Sequence, residues 1–100
     1  MNFIIFLILL MLNYVKSEII ISGNVIDDKN GSPIPLVNIY DSVSGAGRTT
    51  DNKGYFLFTS KNHDEAKLIF SHISYENFHL AFDSNRTDII VKMNEALIQL

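Results

Sequence analysis

Beyond residue 17 the apolar positions come in short runs, interleaved with polar ones and separated by turn residues. A side-chain period of two puts one face of a strand against a core, so the pattern predicts a two-layer sandwich of short strands. Seven runs fit. Glu18 to Ile26 is the first, rich in β-branched Ile19, Ile20, Ile21, Val25 and Ile26. Asp27 to Pro33 stops it: Asn30-Gly31 suits a tight turn, and Pro33 and Pro35 cannot donate to a central ladder. Leu36 to Tyr40 is the second strand, with Val37 and Ile39 on one face, and Ser42 to Gly47 is a flexible loop of small residues. Arg48 to Asp51 is the third, before a turn at Asn52-Lys53-Gly54. Tyr55 to Thr59 is the fourth, and its buried pair is Phe56 and Phe58, since two phenyl rings bury the larger area. After a polar loop, Lys61 to Glu65, the fifth strand spans Lys67 to Ile73 with Leu68 and Phe70 on one face. Tyr75 to Phe82 is the sixth, with Phe78, Leu80 and Phe82 together. A turn over Asp83 to Thr87 leads to the seventh, Asp88 to Met93, where Ile89, Val91 and Met93 share a face. Connections this short do not suit parallel crossovers, so antiparallel pairing is expected throughout.

The start of the chain follows another rule. Phe3 to Leu12 is ten apolar residues without a charge, about half of the roughly 20 that a spanning helix needs. It fits the apolar region of a secretory signal, with a small residue for cleavage after Val15-Lys16-Ser17, although no Lys or Arg precedes it. An uncleaved membrane anchor and a buried first strand are the alternatives. The expected organisation is therefore a signal peptide over 1–17, a sandwich over 18–93 and a tail or linker over 94–100. The tail carries Ala96, Leu97, Ile98 and Leu100 with no turn signal to close it.

Composition narrows the function classes. One hundred residues make one small domain. The chain has eight basic and eleven acidic residues, and without residues 1–17 seven basic remain against the same eleven, a net charge near −4. Such a surface does not offer phosphates the clustered Lys and Arg of a nucleic-acid footprint, so no nucleic-acid partner is expected. There is no cysteine, so packing alone must hold the domain, and lipid attachment through an N-terminal cysteine is excluded. The mature domain is not expected to insert into a membrane.

The chain's reactive residues do not assemble into a recognised site. His63, His72 and His79 are too few for a zinc set without Cys, although His72 and His79 lie on neighbouring strands and could face each other. Asp27, Asp28 and Asn30 before Gly31 have a calcium-loop flavour, but Lys29 breaks the alternation of oxygen ligands and no Glu closes the loop. Asp51-Asn52-Lys53-Gly54 has the same defect, and both read better as turns in which Asx side chains cap amides. No Gly-x-Ser-x-Gly elbow surrounds Ser22, Ser44 or Ser71, and Ser71 and His72 point to opposite faces of one strand. Gly45-Ala46-Gly47 is too short for a phosphate loop. Asn30-Gly31-Ser32 and Asn85-Arg86-Thr87 match the glycosylation triplet and also make sense as turns. No catalytic residue, cofactor-binding residue or metal ligand is assigned, and no cofactor is expected.

The order of four segments says more. Ile21-Ser-Gly23-Asn-Val25, Asn30-Gly31-Ser-Pro33-Ile-Pro35-Leu-Val37-Asn-Ile39-Tyr40, Thr49-Thr50-Asp51-Asn-Lys-Gly54-Tyr-Phe56-Leu and Leu68-Ile-Phe70-Ser71-His-Ile73-Ser-Tyr75-Glu76 resemble the carboxypeptidase regulatory-like domain family. The likeness covers residues 20 to 93, departing at Ser74, where the family commonly has Gly, and at Ile34, which spaces the proline pair differently. It implies a seven-stranded immunoglobulin-like or transthyretin-like all-β sandwich in which Phe56, Phe70 and Tyr75 are core or core-edge aromatics. Members commonly stand at the N-terminus of TonB-dependent outer-membrane receptors of the Bacteroidetes type, between signal peptide and plug. Met93-Asn94-Glu95-Ala96-Leu97-Ile98-Gln99-Leu100 resembles the exit of such domains.

The resemblance thus implies a non-catalytic accessory module in the periplasm or on the periplasmic side of the outer membrane. Its partner would be an envelope protein, a receptor plug or barrel or a TonB-system component. A stand-alone binding domain for carbohydrate or protein, and an accessory domain of a carboxypeptidase-type enzyme, are the other readings. The candidate surface is the polar loop face, Ser42 to Arg48 with Lys61 to Glu65, and Asn94 to Leu100 is the candidate handle.

Overall fold

Burial alternates along the chain much as the sequence pattern requires. The computed structural model describes residues 2–12 and 18–97. Its elements are α1 (Asn2–Leu12), β1 (Glu18–Asp27), β2 (Asn38–Asp41), β3 (Gly47–Thr49), β4 (Tyr55–Lys61), β5 (Ala66–His72), β6 (Tyr75–Phe82) and β7 (Arg86–Met93). β4 buries Phe56, Phe58 and Ser60 and exposes Tyr55, Leu57 and Lys61, while β5 buries Ala66, Leu68 and Phe70. Phe78, Leu80 and Phe82 of β6 share the inward face but are only half-buried.

The strands form two sheets, ordered β4-β1-β7 and β3-β2-β5-β6. This is the seven-stranded sandwich expected from the alternation. One pairing corrects the expectation of antiparallel order throughout: β1 and β7 run parallel, with Val25 opposite Val91 and Asp27 opposite Met93. The objection to short crossovers does not apply, because every other strand of the sandwich lies between these two in the chain. The remaining pairs, β1 with β4, β2 with β3 and β5, and β5 with β6, are antiparallel.

Between the sheets lie Ile21, Val25, Val37, Ile39, Phe56, Phe58, Leu68, Phe70, Val91 and Met93, all closed to solvent. Phe70 sits between two other rings, edge-on to Phe56 at 5.5 Å and to Phe78 at 6.4 Å. A buried phenylalanine contributes roughly 1.5–3 kcal/mol by transfer alone, so this aromatic line is a large part of what holds a disulfide-free domain.

Strand ends shift where side chains compete for backbone groups. Thr50 is buried; its hydroxyl accepts from the Val37 amide at 2.9 Å and donates to the Ile34 carbonyl at 2.8 Å. That stitch ends β3 at Thr49 and holds the chain off the sheet until Asn38. Leu36, expected inside the second strand, instead takes a left-handed φ of 59° and is exposed. β4 extends to Lys61 because Glu18 pairs with it.

α1 is helical, so a buried first strand at this end is ruled out. Eleven residues rise about 16 Å, and no described helix is long and apolar enough to cross a membrane. The proposed cleavage site at Val15-Lys16-Ser17 lies outside the described residues, as do Ile98, Gln99 and Leu100 of the tail.

Candidate functional site

The sandwich has two distinct ends. At the entry end, where β1 begins, the loop after β2, the end of β4 and the start of β5 meet around one buried side chain, Asp41. Its carboxylate accepts from the amides of Val43 and Lys67 at 3.1 and 2.9 Å and from the hydroxyls of Ser44 and Ser60 at 2.6 and 3.2 Å. Burial is the largest influence on Asp41 and pushes its pKa up. The Ser44 hydroxyl and the amides of Lys67, Val43 and Ser44 together outweigh it and hold the group below its ordinary 3.8. A buried carboxylate supplied with donors stays ionised and orders what surrounds it.

Ser42 to Gly47, read from sequence as flexible, is therefore laced down. The Asp41 amide donates to the Ala46 carbonyl at 2.9 Å and Gly45 donates back to Asp41 at 2.8 Å. The two segments of the candidate surface, Ser42 to Arg48 and Lys61 to Glu65, are thus brought to one end. Asp41 itself was not singled out from sequence. The signal was there, since an Asp followed by Ser-Val-Ser-Gly after an apolar strand is an Asx-turn pattern.

The exit end is built on Asp27. It is buried, accepts from the Lys29 and Asn30 amides at 2.8 and 3.2 Å, and receives the Tyr75 hydroxyl at 2.8 Å. The Tyr75 bond ties the last residue of β1 to the first of β6, in the other sheet. That hydrogen bond and the two amides hold Asp27 below 3.8, while the same bond, reinforced by burial, lifts Tyr75 to about 12. Asn30 caps Ser32 and Asp51 caps Lys53, so both loops with a calcium-like pattern are Asx turns.

The tail leaves from this end, and its start is not free. The Glu76 amide donates to Asn94 and the Ala96 amide to Ser74, at 2.8 and 2.9 Å, with Glu95 bridged to Tyr75. Asn94 to Ala96 therefore cover the beginning of β6. The first residues of the handle, Asn94 to Ala96, and the loop face lie at opposite ends.

The histidines are apart. His72 stands opposite Tyr75, its ring edge-on at 5.4 Å, and its Nδ1 accepts from the Ser74 amide at 3.1 Å. His79 stands opposite Ile69 and lines a shallow groove of about 270 Å³ with Ser42 and Lys67. The suggestion that His72 and His79 face each other fails because the β5–β6 register, shifted between Phe70 and His72, gives each another partner. His63 lines a separate open depression with Glu18 and Asp83. Among the described residues no three His, Asp or Glu side chains gather as a metal set.

Two glycines complete the geometry. A Cβ on Gly23 would run into the Ile89 carbonyl, where β1 meets β7, and one on Gly54 would run into the Val25 carbonyl while Gly54 holds a φ of 73°. Gly23, Asp27, Thr50, Gly54, Phe56, Phe70 and Tyr75 thus form the skeleton of the sandwich, and all but Asp27 lie in the four segments noted in the sequence. The family model of the CarboxypepD_reg-like domain matches residues 21–100. The chain belongs to this family. A comparison with curated proteins returned no match.

A CarboxypepD_reg-like domain is a non-catalytic β-sandwich module, and here the residues that mark the family are spent on turns, sheet approach and the Asp27–Tyr75 tie. The tie has a pH signature. Tyr75 is raised in the folded state, so the stability it contributes is complete below its ordinary 10.0 and is lost as pH rises towards about 12. Tyr75→Phe is expected to lower the unfolding temperature at neutral pH and to remove that alkaline slope. Thermal melts between pH 8 and 12 check it, and parallel curves for the two proteins would refute the tie.

Proposed function

We propose that this CarboxypepD_reg-like domain is a periplasmic accessory module of a TonB-dependent outer-membrane uptake receptor, or a free-standing relative of one, working as a rigid spacer. The observation that carries the reading is the path of the chain. The apolar helix α1 precedes β1 in the chain, β1 begins at one end of the sandwich, and Asn94 to Ala96 dock on the start of β6 at the opposite end. Ten-residue β1 alone spans about 33 Å, so the sandwich sets a fixed separation between what is attached at each end. The ordered loops around Asp41 supply the entry-end surface, and Asn94 onward supplies the connection at the exit end.

The test is recovery of envelope proteins by the exported full chain and by a chain ending at Met93. The full chain is expected to recover a receptor plug or barrel, or a TonB-system component, and the shortened chain to lose it. Equal recovery by both would discard the tail as the connection. Failure of both to recover an envelope protein would discard the reading.

A further inference from the structure

We propose that β6 is a dimerisation edge, pairing antiparallel with β6 of a second copy about a two-fold axis through Leu80. β6 is an edge strand of the four-stranded sheet. Which of its peptide groups are free follows from the neighbouring strands. The Ser42 amide donates to the Lys67 carbonyl, and the Lys67 amide donates to Asp41, so Lys67 and, by alternation, Ile69 turn their peptide groups towards β2. Leu68 and Phe70 then bond β6 through Leu80 and Phe78, and the peptide groups of His79 and Ala81 point outward. Along this edge the tail bonds Ser74 and Glu76.

Other edges are blunted. β3 is three residues long, β4 is tied at its start to Asp51 and ends in Lys61, and β7 carries Arg86, Lys92 and a left-handed Asp88. From Asn77 to Phe82, β6 has no charge and no proline, which are the usual guards of an edge. This edge is left open to a partner strand.

The sequence of the edge says which partner. Laid antiparallel on itself about Leu80, Phe78-His79-Leu80-Ala81-Phe82 sets apolar positions against apolar ones and the bulky position against the small one. In an antiparallel pair centred there, Leu80 meets Leu80 of the second copy and Phe78 meets its Phe82. The bulky His79 meets its small Ala81. His79 and Ala81 are the residues with outward peptide groups, so the register also satisfies the hydrogen bonds. Phe78, Leu80 and Phe82, with Ile89 of β7 on the same open side, are half-buried in one copy and would be covered in two. No like charges meet.

The experiment is sedimentation of the chain from Glu18 onward, which supplies every core residue, at high micromolar concentration. Twice the monomer mass is expected. Ala81→Pro removes only an outward donor, so it is expected to halve that mass with the β-sheet circular dichroism intact. Leu80→Cys gives an independent reading in a chain without other cysteines. A non-hydrogen-bonded antiparallel pair sets Cα atoms about 4.5 Å apart, within disulfide reach, so mild oxidation is expected to yield a covalent dimer. Should Ala81→Pro fail to fold, the cross-link decides. A monomeric parent, a folded Ala81→Pro dimer, or no cross-link from Leu80→Cys would each overturn the proposal.

Discussion

Gly23→Ala is expected to leave the domain unfolded. Gly23 lies mid-way along β1, the central strand of its sheet, opposite Ile89 of β7 and Phe56 of β4. Its α-carbon approaches β7 so closely that a methyl group would run into the Ile89 carbonyl oxygen, its carbonyl carbon and its side chain together. Backbone cannot rotate out of the way as a side chain does. Either β7 separates from β1, with Val91 and Met93 leaving the core, or β1 shifts and disturbs β4 as well. Forced overpacking costs about 3 kcal/mol at the upper end of its usual range, and more where backbone must move. A domain this small sits near the bottom of the 5–15 kcal/mol that folded domains hold, so little stability would remain. Circular dichroism and amide dispersion in an NMR spectrum check it. A cooperative unfolding transition within a few degrees of the parent's would show that the β1–β7 approach is looser than described.

The second large effect is Phe70→Ala. Phe70 is closed to solvent and joins Phe56 to Phe78, so its loss opens a cavity and removes two edge-to-face contacts at once. Truncating a core phenylalanine costs about 3–5 kcal/mol. The cavity cannot collapse easily, because β2 and β5 are held apart from the other sheet by Ile39, Leu68 and Phe56. Urea denaturation is the measurement. The midpoint should fall steeply with little change in slope, whereas a shift worth less than about 1 kcal/mol would mean that neighbouring side chains refill the space.

The two variants fail for different reasons, and the difference matters for reading the family's marks. Phe70 is a hydrophobic term, proportional to area and tolerant of shape in part. Gly23 is a steric term with no tolerance, since only a residue without Cβ allows parallel β1 and β7 to meet. Gly54 belongs with Gly23, combining a left-handed φ with a close approach to the Val25 carbonyl. Both make the sandwich possible.

Local pattern by itself determined the number of strands and the inward side of β2, β4, β5, β6 and β7. Alternation needs no knowledge of partners: Phe56 and Phe58, Leu68 and Phe70, and Val91 and Met93 go inward because apolar area leaves water whichever strand lies beside them. The turns at Asn30-Gly31 and Gly54 were legible for the same reason, as short-range conformational preference. Pairing was not legible. That β7 lies parallel to β1, that Asp41 collects Ser44, Ser60 and Lys67, and that Tyr75 reaches Asp27 are contacts between residues remote in the chain. The tail's bonds to Ser74 and Glu76, and hence the stretch of β6 left open, depend likewise on where the sheets close. A hydrogen bond or an edge exists only once two distant segments share a place, so these features were decided by the tertiary structure.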